Sequence, residues 1–186
     1  MALFALGSWW LVRSAPQFAQ PNAAAPVSHK PDYQMWNFSV QNFNPEGQLT
    51  SEIKGDEGLH FPDTDTLEVH EPRVRAYDEQ GHLTVGQAER GFSNSDGSVV
   101  KLYDDANIVR EPVMGTGGKV IAPRLEFRGN YLEALPKEER YSSDQPVDLL
   151  RGRDQFSGDR FDYDNKSGIA NLQGNVHGII QPAAKQ

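Results

Sequence analysis

The side chains able to do chemistry are present but scattered. Five histidines, His29, His60, His70, His82 and His177, include no pair at the short spacing that offers two imidazoles to one metal ion. His70, His82 and His177 fall on the polar side of their segments and read as solvent-exposed. A cupin-type β-roll enzyme would need clustered histidines on one ligand-bearing strand, a feature missing from this sequence. Asp159, Asp162 and Asp164 with Asn165 resemble a calcium loop only in composition, since an EF-hand needs a longer loop closed by a bidentate glutamate. Turn chemistry explains them. Gly115-Thr116-Gly117-Gly118-Lys119 lacks the spacing of a phosphate loop and reads as a flexible hairpin tip. No serine sits in a Gly-x-Ser-x-Gly setting, and Asp104-Asp105 lies in turn-like sequence rather than as an acid/base pair. Zero cysteines remove thiol catalysis, disulfides and thiolate zinc sites together. The chain reads as a non-enzyme with no catalytic residue, metal or cofactor.

The elements that would position any site are short strands and tight turns. Trp36, Phe38 and Val40 share one parity, the period of a half-buried strand. Asn44-Pro45-Glu46-Gly47 then turns the chain, and Leu49, Ser51 and Ile53 alternate with polar residues, so the two segments predict a hairpin. The grammar repeats through Leu59 and Phe61, Leu67 and Val69, Val74 and Ala76, Leu83 and Val85, Val100 and Leu102, Leu125 and Phe127, Val147 and Leu149, and Phe161 and Tyr163. A final strand is expected from Ala170 to Ile180, with Leu172 and Val176 on one side. Tyr131 to Arg140 has a faint helical look, but Pro136 makes a loop or strand end the better reading. This spacing means an all-β sandwich, roll or barrel and argues against parallel α/β.

The ends carry different signals. Leu3 to Val12 is apolar, closes on Trp9-Trp10 and is followed by Arg13, which is how a helix looks where it leaves a bilayer. The run is shorter than the ~20 residues a spanning helix needs, so the expectation is the tail of a transmembrane helix beginning upstream. A signal-peptide core is the competing reading, without a clean cleavage site. Pro16 to Pro31 is an extended Pro/Ala/Gln spacer. The division expected is an anchor over 1–14, a linker over 15–30 and one β domain over 31–182. A net charge of −8 opposes nucleic-acid binding, because phosphate neutralisation needs a basic surface.

The run Pro31-Asp32-Tyr33, then Asn44-Pro45-Glu46-Gly47-Gln48-Leu49, His60-Phe61-Pro62-Asp63-Thr64-Asp65-Thr66-Leu67 and Glu71-Pro72, resembles the LptC family of lipopolysaccharide export. Tyr141 to Val147, Gly158 and Leu172-Gln173-Gly174-Asn175-Val176 are similar to its C-terminal strands and to the wider OstA-like β-jelly rolls. The match is weakest between Glu111 and Lys119.

That resemblance implies an antiparallel open β-jelly roll of two facing sheets behind the N-terminal helix, with its C-terminal domain in the periplasm and its anchor in the inner membrane. It implies that lipopolysaccharide passes from the LptB/LptF/LptG transporter to LptA. From the residues alone, an inner face of Phe38, Val40, Leu49, Ile53, Phe61, Leu67, Val69, Val74, Leu83, Leu102 and Phe127 either packs shut or stays open for acyl chains. The resemblance implies an open groove, with Phe38 and Val69 at lipid-contacting positions. It further implies that the edge at Leu172, Gly174, Asn175 and Val176 meets LptA and that the edge at Trp36, Phe38 and Val40 meets LptF. Arg73, Arg75, Arg124 and Arg128 are candidate phosphate contacts, with a solvated sheet face as the plainer role. The competing functions are a tethered β-sandwich module for carbohydrate or cell-wall polymer and a lipid-free scaffold.

Overall fold

The computed structural model describes residues 29–182; the expected anchor and all but the end of the linker lie outside them. Among the described residues no helix is long and apolar enough to cross a membrane. Alternating sequence becomes antiparallel strand throughout. β1 (Tyr33–Phe43) and β2 (Leu49–Phe61) form the expected hairpin, followed by β3 (Thr66–His70), β4 (Arg73–Tyr77), β5 (Leu83–Gln87), β6 (Arg90–Asn94) and β7 (Val100–Arg110). A small hairpin, β8 (Val113–Met114) and β9 (Val120–Ala122), precedes β10 (Leu125–Leu135) and β11 (Arg140–Ser143). β12 (Val147–Arg151), β13 (Asp154–Gly158), β14 (Arg160–Asp164), β15 (Ile169–Gln173) and β16 (His177–Ile179) complete the chain. The stretch Tyr131 to Arg140 is strand and turn, as Pro136 requires.

The pairing resolves into a meander of bent strands. β2 pairs with β4 through Ser51 to Lys54 and with β3 through Glu57 to Phe61. β7 likewise divides between β5 and β6, and β10 between β12 and β11. Each long strand therefore crosses from one sheet to the other at a bend, and β3–β4, β5–β6, β11–β12, β13–β14 and β15–β16 are the two halves of equally bent strands. One sheet contains β4, β5, β12, β13 and β16; the facing sheet contains β3, β6, β11, β14 and β15.

The bends fall at residues that tolerate a left-handed backbone. Asn37 (φ 45), Asp104 (φ 62), Asp105 (φ 54) and Asn175 (φ 43) lie on this spine, and Asn and Asp reach that region at less strain than other residues bearing a side chain. Glu71 (φ 51) joins β3 to β4 in the same way. Asp104-Asp105, set aside as turn-like in the sequence, is therefore what folds β7 over.

The core fills the C-terminal part of the space between the sheets. Leu102, Ile108, Phe127, Leu132, Leu149 and Phe161 are buried together, and Phe127 stacks on Phe161 with ring centroids 5.0 Å apart. That buried cluster contains no residue of β1 to β4.

Candidate functional site

Cross-strand register defines one inner row across the first sheet: Val40, Ile53, Val74, Gly86, Ile108, Phe127, Leu149 and Phe156. Its exposure falls along the row, from 36% at Val40 through half-buried Ile53 and Val74 to 3% at Ile108 and 0% at Phe127. The facing row in the second sheet runs Met35, Gly58, Val69, Gly91, Leu102 and Leu132. The row is thus a packed core from Ile108 to Leu149 and is half-buried or exposed towards both of its edge strands.

Phe38 covers the β1 end of the inner surface. Its ring lies over two glycines of β2: a Cβ at Gly55 would come within 2.9 Å of Phe38 Cε1, and one at Gly58 within 2.8 Å of the same atom and 3.2 Å of Met35 Cε. Glycine inside a strand marks such a close approach. Val69, 5% exposed, packs beneath it, Ile53, Leu67 and Val74 are half-buried, and Leu49 is half-buried at the opposite end of β2, paired with Phe43.

Two expected groove residues, Phe61 and Leu83, lie elsewhere, as does Trp36, expected on the parity of Phe38. The bend at Asn37 reverses the parity of β1, so Trp36 pairs with Glu57 on the outer face, 65% exposed, and Met35 takes the inner place. Phe61 pairs with Thr66, on the parity opposite Leu67 and Val69; it is buried beneath His29, whose ring stacks on it at 4.2 Å. Leu83 pairs with Tyr77 on the outer side of β5, whose inner positions are Thr84 and Gly86. Leu102 and Phe127 do face inward, but as sealed core.

Electrostatics separate outside from inside. Arg124 and Arg128 converge on the outer face at Glu126, which also accepts Asn107 Nδ2 at 2.8 Å and Arg128 Nε at 2.6 Å. Burial pushes the Glu126 carboxyl up, but hydrogen bonds from Arg128, Arg124 and Asn107 outweigh it and hold the group down at about 2. Those two arginines already serve a carboxylate, and Arg73 and Arg75 stand exposed on the same outer side. At the tip of the second sheet, His60 Nδ1 lies 2.7 Å from Asp32 and its Nε2 3.5 Å from Asp65, with Tyr33 stacked on the ring at 4.7 Å. The Asp32 carboxylate raises the His60 pKa above its ordinary value against the opposing effect of burial. The carboxylates of the Asp159 to Asp164 cluster, read as turn chemistry, are dispersed: Asp159 accepts Asn175 Nδ2, Asp162 pairs with Arg140 and Asp164 caps the turn at Lys166 and Ser167.

Both ends of the meander have edges without a strand partner among the described residues. β1 pairs only with β2, while β15 pairs only with β14 and β16 only with β13. The expected single last strand is therefore two, broken at Gly174 (φ 70) and Asn175. Leu172 points inward opposite Phe161, Gly174 and Asn175 form the bend against Asp159, and Val176 is exposed beyond it.

A bent antiparallel meander of two facing sheets, with unpaired strand edges at both ends among the described residues, defines an open β-roll of the jelly-roll class. The family described as lipopolysaccharide-assembly, LptC-related, matches residues 1–181, and the chain belongs to that family. Among solved structures it is similar to LptH, the LptA-homologous periplasmic component of the lipopolysaccharide transport device of Pseudomonas aeruginosa. The TM-score is 0.58 at 14% identity, covering 71% of this chain and 95% of that one. At that identity the likeness is one of fold. A search of curated proteins finds no match.

The sequence reading did not include Met35, Gly55 and Gly58 on the inner surface beneath Phe38. Their signals were there: an asparagine in mid-strand after Trp36, and two glycines inside an otherwise continuous strand.

Proposed function

We propose that the protein is a carrier in lipopolysaccharide transport, taking the lipid's acyl chains into the open end of the roll and passing them on without chemistry. The observation that carries this reading is the gradient along one inner row, exposed at Val40 and sealed at Phe127. An ordinary β domain closes its whole interior to native density; this one leaves Val40 exposed and Phe38, Ile53 and Val74 only half-buried.

Incomplete enclosure suits a conduit. Burying an acyl chain gains about 0.8 kcal/mol per methylene, so a chain of about a dozen carbons approaches ~10 kcal/mol if fully enclosed and would scarcely leave. A half-open groove lowers that value and lets transfer be driven from outside the domain. In this reading LptB, LptF and LptG supply the lipid from the inner membrane, to which the N-terminal helix anchors the chain. The edge at β1 (Trp36, Phe38, Val40) meets LptF. The opposite edge, at β15 and β16, receives LptA by strand addition, where main-chain hydrogen bonds supply affinity. The domain then sits in the periplasm. The LptA-homologous fold of LptH supports the idea of like rolls joined edge to edge.

Site-specific photocrosslinking in cells at Phe38 and Val69 tests it. Lipopolysaccharide adducts are expected. Glycan adducts would instead support a carbohydrate module, and adducts to protein alone a scaffold.

A further inference from the structure

The bend at Asn37 that brings Met35 inward turns Trp36 onto the solvent face of the second sheet. Register carries that outer row from Trp36 through Glu57, His70, Arg90 and Tyr103 to Tyr131. The next outer row runs through Leu59, Glu68, Phe92 and Lys101. Aromatic rings therefore stand at two places on this face. Trp36 is exposed at the β1 edge, and further across the sheet Tyr103 packs on Phe92 and Tyr131 with centroids 5.4 and 4.9 Å away.

Between the two lies a shallow depression of about 90 Å³. Leu59 and Phe92 form its apolar wall, and Glu57, Glu68, His70 and Arg90 its polar rim. Its floor is the paired backbone of Val69 and Gly91, which belong to the inner row. Two rim groups are committed: Glu57 accepts Gln34 Nε2, and Arg90 pairs with Asp104 at 2.8 Å. Glu68 stands in register between Leu59 and Phe92, and His70 between Glu57 and Arg90. Neither Glu68 nor His70 forms an ion pair or a side-chain hydrogen bond among the described residues, so both have hydrogen-bonding capacity to offer.

The interleaving of rings and charges selects the occupant. A flat protein partner would bury Glu57, His70 and Arg90, and the cost of desolvating them would offset much of the aromatic contact. A sugar meets no such penalty. Its ring offers C–H faces to an aromatic side chain, and its hydroxyls replace water at carboxylate, imidazole and guanidinium without removing their hydrogen bonds. An aromatic wall with a few convergent polar groups is also the usual make-up of a small-ligand site.

We propose that this outer face binds a glycan, with one uncharged pyranose ring seated against Phe92 and its hydroxyls on Glu68 and His70. The chain continues across Glu57 towards Trp36. From Trp36 to Arg90 the row spans three strand spacings, about 14 Å, the reach of a short oligosaccharide rather than of a single ring. The carboxylates of Glu57 and Glu68 select against an anionic sugar in the depression. The saccharide portion of a lipopolysaccharide and the glycan strands of a cell wall share this chemistry. The site does not rest on the carrier reading, since it lies on the opposite face of the sheet from Val69. Strand addition at the β1 edge engages main-chain groups and leaves the outer face uncovered.

The test titrates the full chain, kept free of glycoside detergents, with maltotriose and with chitotriose, read by calorimetry and by side-chain NMR. Saturable binding of at least one is expected, with shifts at Phe92 and Trp36. Trp36→Ala and Glu68→Gln should each weaken it by roughly ten-fold, the scale of losing one aromatic or charged contact, with an unchanged melting temperature. Phe38→Asp, on the inner surface, should leave it unaltered. Affinity indifferent to either outer substitution, or shifts confined to Phe38 and Val69, would overturn the proposal. So would the absence of saturable binding to both trisaccharides, to polysaccharide released from lipopolysaccharide and to peptide-free glycan strands. Tighter binding of one of those two polymers than of the trisaccharides supports the site and identifies its source. No sugar binding alongside lipopolysaccharide adducts at Phe38 would strike the outer site and keep the carrier reading, and sugar binding without those adducts would do the reverse.

Discussion

Phe38 of β1 and Val69 of β3 share the space above Gly55 of β2: a Cβ there would overlap Val69 Cγ1 and crowd Phe38 Cε1 at 2.9 Å. The residue between the two side chains must therefore have none. Gly55→Ala is expected to destabilise the domain by about 1–3 kcal/mol through overpacking and to push the Phe38 ring outward. Urea denaturation measures the first effect and altered crosslinking at Phe38 the second. An unchanged midpoint would show that Phe38 does not rest there.

The open and sealed ends of the inner row should respond differently to substitution. Phe127→Ala removes a fully buried ring and is expected to cost about 3–5 kcal/mol. Phe38→Asp exchanges a half-buried ring at the edge, so the fold should persist while lipopolysaccharide transfer falls. Normal transfer by a folded Phe38→Asp protein would remove Phe38 from the lipid path.

Acid should unpick the outer face at Glu126. Its folded pKa of about 2 lies below the ordinary 4.5, so its contribution is present above 4.5 and is lost as the pH falls through about 2. Glu126→Gln should cost about 1–3 kcal/mol near neutrality, because Arg124 and Arg128 lose their shared carboxylate, and should flatten stability between pH 4.5 and 2. Denaturation series across that range, on both proteins, decide the point.

The start of β1 should be held more loosely in alkaline conditions. His60 is raised above its ordinary 6.5 by Asp32, so the stability it contributes is complete below 6.5 and is lost as the pH rises through its folded value. Asp65, lowered by Ser95 and His60, acts in the opposite sense, contributing above 3.8 and losing its effect as the pH falls. Amide exchange at Gln34 and Met35 should be slowest between those limits. Asp32→Asn should remove the alkaline part of the dependence, and an unaltered profile in that variant would rule out the His60 contact as its source.

At the far end, deleting residues from Leu172 onward is expected to abolish LptA binding while leaving association with the membrane complex, measured by co-purification. Proline at Asn175 should have the same effect by another route. The residue sits at φ 43, which proline cannot adopt, so the bend that places β15 and β16 in separate sheets would break. Undiminished binding by both variants would move the partner to another edge.

Alternation, turns and the absence of long helical periods were enough to specify an all-β antiparallel meander, because a period of two and the φ preferences of Asn, Gly and Pro are local properties. The hairpin at Asn44 to Gln48 and the inward set Val40, Ile53, Val74 and Phe127 were legible for that reason. Tertiary structure alone decided what happens across a bend. One left-handed residue at Asn37 reverses the parity, sending Trp36 outward and Met35 inward, and the register at Thr66 and Tyr77 places Phe61 and Leu83 on the outer side. It also decided that the row is open at Val40 and sealed at Phe127, and that Glu126 gathers Arg124 and Arg128. Exposure and charge pairing depend on which distant strands come to lie opposite, and hydrophobic alternation is the same whether the facing strand is present or missing.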